Sequence, residues 1–141
     1  EAIVAAMRAH PQVQKMVCRA LVNVCFGTDG AALARKQRAA VAGAIEAIVA
    51  AMRAHPQVQK MVCRALVNVC FGTDGAALAR KQRAAVAGAI EAIVASMRAH
   101  SQVEDVQKMG CWALRNVCFC TDAAGHARSQ RAAEAGAIEA V

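Results

Sequence analysis

Residues 1–45 read EAIVAAMRAHPQVQKMVCRALVNVCFGTDGAALARKQRAAVAGAI, and the same letters follow at once as residues 46–90. A third copy, residues 91–138, carries substitutions and is lengthened by three residues around 103–105. A period of this size marks an array of like units, each burying its apolar face only against its neighbours. The expected architecture is one all-α domain, residues 1–141, with periods 1–45, 46–90 and 91–138 and the start of a further unit at 139–141. Function in such an array lies in a repeated surface, not in one pocket.

One period predicts three helices. Residues 1–10 place Ile3, Val4 and Met7 at helical spacing. Pro11 suits a first turn, so a second helix is expected over 11–26, with Val13, Val17, Leu21 and Val24 on one side. Gly27 ends it. Thr28 and Asp29 are caps for a third helix near 31–42, which Gly43 ends.

Composition narrows the class. The chain is 57% hydrophobic, but alanine supplies much of that, so close helix packing is expected rather than a bulky core. Aromatics make up 3% and Tyr is absent, which argues against a β-sandwich and against base-stacking platforms. No apolar run reaches the length of a membrane span. The first residues are too short and too acidic for a signal peptide, and the missing Met is what an excised or engineered piece would show.

The 7 cysteines recur at Cys18/Cys63/Cys111 and Cys25/Cys70/Cys118, with an extra Cys120. Their odd number and helical spacing read as small buried hydrophobes in a reducing, intracellular compartment, cytoplasmic or nuclear. Net charge is +7 and uneven. Period one sets Arg8, Lys15, Arg19, Arg35, Lys36 and Arg38 against Glu1 and Asp29, period two repeats that, and period three is balanced. Such a basic field attracts acidic partners, nucleic acid nonspecifically among them.

The stretch Ala39-Ala-Val-Ala-Gly-Ala-Ile-Glu-Ala-Ile48 resembles the junction of the first two helices of an armadillo repeat. Cys111-Trp-Ala-Leu-Arg-Asn116 resembles the signature of that family's third helix, with Trp and Asn four apart. The resemblance covers the chain three times. It implies a right-handed α-solenoid whose third helices line a concave groove, where asparagines grip the backbone of an extended peptide.

The matching asparagines are Asn23, Asn68 and Asn116. An Asn amide offers both donor and acceptor to a peptide group; the alternative is that these side chains bind only loops or water. Four residues earlier stand Arg19, Arg64 and Trp112, and four before those Lys15, Lys60 and Lys108, so each trio shares one helical face. Arg in place of the family's Trp in two units puts paired-Trp pockets for basic residues in doubt and favours Asp, Glu or phosphate on the partner. The competing view is that Lys and Arg are solvated face residues. Trp112 either stacks on Arg64 or is half-buried packing.

In period three, His126 replaces Leu33/Leu78 and Glu134 replaces Val41/Val86, eight apart on the last helix. That pattern reads either as a solvent-facing terminal cap or as ordinary divergence. The first period lacks a covering helix, so head-to-tail homo-oligomers through uncapped ends are expected. The three extra residues of period three should lengthen its Asn-bearing helix by almost one turn.

No nucleophile has a matched base, and no His/Cys spacing suits a metal. The expectation is a non-enzymatic protein-interaction scaffold, without cofactor and without membrane, that binds an extended acidic peptide along a groove. The alternative is an engineered or recently duplicated structural array with no evolved ligand, as letter-for-letter identity suggests.

Overall fold

The computed structural model describes residues 1–120 and 122–140, with the side chain of Pro11 outside the description. It is all-helical: 79% helix and, among the described residues, no strand. The helices follow in order as α1 (Ala2–Ala9), α2 (Gln14–Val24), α3 (Gly30–Val41), α4 (Ala44–Ala54), α5 (Gln59–Cys70), α6 (Gly75–Val86), α7 (Ala89–Ala99), α8 (Glu104–Cys118) and α9 (Ala123–Glu134). Three helices per period is the expected pattern. Equivalent helices lie side by side: α1 against α4 and α4 against α7, α2 against α5 and α5 against α8, α3 against α6 and α6 against α9.

Local chemistry sets the boundaries. Asp29, Asp74 and Asp122 cap α3, α6 and α9, each accepting the backbone N–H three residues on at 2.7 Å. Such a cap is typically worth about 1 kcal/mol. The second helix of each of the first two periods departs from expectation at its start. Pro11–Val13 and Pro56–Val58 form single 3-10 turns, and the α-helix begins at the following Gln. That Gln ties the corner: Gln14 Nε2 donates to Met7 O at 2.5 Å, and Gln59 Nε2 to Met52 O at 2.7 Å and His55 O at 3.0 Å. Gln107 repeats the contact, donating to Met97 O at 2.7 Å and His100 O at 3.0 Å. The three extra residues of period three are therefore absorbed before Gln107. α8 gains the expected turn, 15 residues against 12 in α5, and the register beyond it is kept.

Gly43, Gly88 and Gly136 adopt φ of 84° to 87° at the turn into the next unit. A second constraint acts there. The guanidiniums of Arg8, Arg53 and Arg98 occupy the space that a Cβ on these glycines would need. Arg53 donates to Gly88 O and Arg98 to Gly136 O. Beside this turn, Arg83 and Arg131 each clasp the carboxylate of their own unit's first helix, Glu46 and Glu91, at 2.5 Å. Burial pushes both carboxyls up, but the hydrogen bonds from Arg and from their own backbone outweigh it, so both titrate below the ordinary range. Their stabilisation is present above the unfolded carboxylate pKa and is lost as pH falls through the folded one.

The core is aliphatic and alanine-rich: Ile45, Ile48, Leu66, Ile90, Ile93 and Met97 are fully buried, with Ala44, Ala65 and Ala89 among them. Four cysteines, Cys18, Cys25, Cys63 and Cys70, are buried as expected, whereas Cys111 is exposed.

The cap reading of period three is corrected at one position. Val86, in the middle unit, is already 73% exposed, so Glu134 replaces a solvent-facing side chain and reports nothing about an end. The changes at buried inter-unit positions are different ones. Val67 and Lys81, both buried, are matched in period three by Arg115 and Ser129, both exposed. Of the further unit read at 139–141, Val141 lies outside the described residues.

Two substitutions check the turn. Gly88→Ala combines a left-handed backbone with the displaced Arg53 guanidinium and should cost at least about 1 kcal/mol in urea unfolding. Gly75→Ala meets open space in the first turn of α6 and should be neutral or slightly stabilising. Equal losses at both sites would contradict this account of the glycines.

Candidate interaction groove

α2, α5 and α8 carry every candidate residue on neighbouring helices. Lys15, Arg19 and Asn23 are exposed on α2, Lys60 and Arg64 on α5, and Lys108 and Trp112 on α8, while Asn68 and Asn116 are half-buried. Five of them, Lys60, Arg64, Asn68, Lys108 and Trp112, line one hollow of about 500 Å³. A second hollow of about 260 Å³ adjoins it, with Trp112, Asn116 and Arg115 in its wall. The two share Phe71 and Trp112. Lys15, Arg19 and Asn23 of the first unit lie outside both hollows.

The asparagines are not equivalent. Asn116 Nδ2 donates across the units to Val67 O at 2.8 Å, whereas Asn68 Nδ2 donates to Arg64 O of its own helix at 3.0 Å. Each uses one donor within the chain. A primary amide has a second N–H and a carbonyl oxygen, so acceptor and donor capacity remains for a ligand. Asn23 makes no hydrogen bond to the other described residues' side chains or backbone through its amide.

Charge is sorted with equal clarity. Lys60 is paired with Asp105, one of the inserted residues, at 2.5 Å, and both are about half exposed. A pair so open to solvent stabilises little. Lys15, Arg19, Arg64, Lys108 and Arg115 form no ion pair with any described residue. Trp112 and Arg64 share the larger hollow without a cation–aromatic contact. Those contacts occur elsewhere: Lys36 Nζ lies 5.1 Å from the Phe71 ring centre, and Lys81 Nζ lies 5.6 Å from that of Phe119.

The residues that sequence reasoning missed stand behind the groove. Arg80 is buried at the C-terminus of α5, where it donates to Val69 O at 2.8 Å and Phe71 O at 3.2 Å. Arg128 repeats this on Val117 O at 2.8 Å. Each also crosses to the preceding unit, Arg80 to Gln37 Oε1 at 3.1 Å and Arg128 to Gln82 Oε1 at 3.0 Å. Lys36 holds Gly27 O at 2.5 Å, and burial pulls the pKa of its ammonium down. These cations satisfy helix-end carbonyls and fix the loops that border the groove. A cation at the end of a helical run looks solvent-facing in sequence; only the repeated spacing of Arg35, Arg80 and Arg128 from the preceding helix hints otherwise.

The buried thiols of α2 and α5 are not poised for chemistry. Burial pushes Cys18 up to about 11, and Cys63 and Cys70 up to about 12. No cluster of three or more metal-ligating side chains occurs among the described residues. Compared with family models, with curated protein sequences and with solved structures, the chain matches none.

Thiol labelling at pH 8 should modify Cys111 rapidly and Cys63 and Cys70 only as fast as the chain opens. Mass spectrometry of digested samples reads the order. Early labelling of Cys63 would contradict the packing of α5 described above.

Proposed function

We infer that the chain is a right-handed solenoid of three armadillo-like units and that the face of α2, α5 and α8 binds an extended, acidic segment of a partner protein. It is a non-catalytic, intracellular interaction scaffold in this reading. The observation that carries it is the division of the cations. Arg80, Lys36, Arg53 and Arg83 are each engaged by a backbone carbonyl or a carboxylate of the chain. Lys15, Arg19, Arg64 and Lys108 stand on adjacent helices, exposed and in no ion pair with a described residue, while Lys60, the counterpart of Lys15, is held by Asp105. Repeated exposed cations beside amides with spare hydrogen-bonding capacity suit a chain that offers carboxylates and peptide groups together.

The test is charge reversal at two sites. Arg19→Glu with Arg64→Glu should weaken binding of an acidic peptide at least tenfold in low salt and flatten its salt dependence, with stability changed by no more than about 0.5 kcal/mol. Unchanged affinity, or no affinity in the parent chain, would favour a structural array with no evolved ligand.

A further inference from the structure

Every aromatic side chain of this protein lies outside its core. Phe26, Phe71, Phe119 and Trp112 are the only aromatics, and their exposures run from 41% to 67%. Burying large rings is among the strongest stabilising moves open to a folding chain. Here the three Phe occupy the same repeat position, just beyond the helices that carry the asparagines. They form a row along the edge of the groove, with Trp112 beside them in both hollows.

The larger hollow has a definite chemistry. Its floor is the buried pair Val67 and Met109, and its walls are the rings of Phe26, Phe71 and Trp112. Arg64 and Lys108 also line it, and each keeps an unpaired charge there. One acid stands in its wall, Asp105, held by Lys60. Of its four cations Lys60 is held by Asp105 and Lys36 by Gly27 O, so a carboxylate is served by Arg64 and Lys108, and one seated on the apolar floor between Val67 and Met109 would leave water without a side-chain donor there. A neutral ring placed inside would meet rings and aliphatic carbons, with its flanking carboxylates near Arg64 and Lys108. One wall is also set in advance. Lys36, pinned to Gly27 O, covers one side of the Phe71 ring, so little ordering is needed when a ligand arrives.

We propose that this hollow seats one aromatic side chain of the partner, so that the recognised segment is an aromatic anchor flanked by acidic residues. The proposal rests on the acidic-peptide reading above and adds its specificity. The volume of about 500 Å³ falls within the range of ligand sites and exceeds what one ring fills, leaving room for adjoining backbone.

The experiment uses two synthetic peptides of equal length and charge, alternating Glu and Ser, one of them with a central Phe in place of Ser. Binding is followed by the fluorescence of Trp112, the single Trp, and by calorimetry. The Phe peptide should bind at least tenfold tighter. Phe71→Ser should bring the affinity ratio of the Phe peptide to the all-Ser peptide to within about twofold of one, whatever it does to the two affinities themselves. Phe26→Ser, at the most exposed ring, should reduce the advantage too, which guards against misfolding of the first variant. Equal affinities for the two peptides would overturn the anchor and leave the acidic groove standing. Binding of neither would overturn both. Tighter binding of an oligothymidylate of equal charge would overturn the anchor by assigning the rings to stacked bases.

Discussion

The guanidinium at the end of each groove helix, buried at Arg80 and Arg128 and half-buried at Arg35, is the interaction on which the other features depend. A helix leaves its last carbonyls without partners, and in a tightly packed array those carbonyls are cut off from water. Arg80 supplies the donors for α5 and the following loop, and its remaining reach across to Gln37 fastens the unit to the one before. Arg128 donates to Val117 O at the end of α8 and reaches across to Gln82, without, among the described residues, the bond to the following loop that Arg80 makes. One side chain thus ends a helix, shapes the loop that carries Phe71 and sets the spacing between units. The glycine turn with its arginine and the glutamine at the first corner fix the other ends of each unit in the same manner.

This economy explains the basic composition. A chain with many arginines and lysines and a core of alanine and small aliphatics has few ways to satisfy its backbone at inter-unit seams. Its cations serve there first. What remains on the outer face of α2, α5 and α8 is a smaller set, and among the described residues only Lys60 of that set is paired with a carboxylate, Asp105, while Arg83 and Arg131 pair with Glu46 and Glu91 elsewhere. The single acid on the groove, Asp105, arrives with the three inserted residues. The insertion thus changes the groove while Gln107 shields the rest of the register from it.

Much of this was legible in the sequence because period and punctuation are local. The three helices, the Asp29 caps, the Gly43 turn, the buried cysteines and the extra turn of α8 follow from spacing and from residue types with strong backbone preferences. Three things were not legible. Arg35 and its equivalents look like surface residues, since a guanidinium's burial depends on carbonyls eleven residues away. Phe26 and its equivalents stand at helix ends, where spacing assigns them no face, and their exposure depends on which unit faces them. Glu134 looks like an end signal until Val86 is seen to be exposed in the middle unit. Spacing puts each asparagine on one helix face with the cation or Trp four residues earlier, but a helix face cannot reveal that Asn116 already bridges to Val67 or that Asn68 bonds to its own helix.

A double-mutant cycle tests the seam most directly, with Arg80→Met, Gln37→Leu and the pair compared by urea unfolding. If the guanidinium joins the units through Gln37, the two substitutions will couple by roughly 0.5–3 kcal/mol. Additive losses would mean that Arg80 serves its own helix alone and that the units are held together by apolar contact without this link.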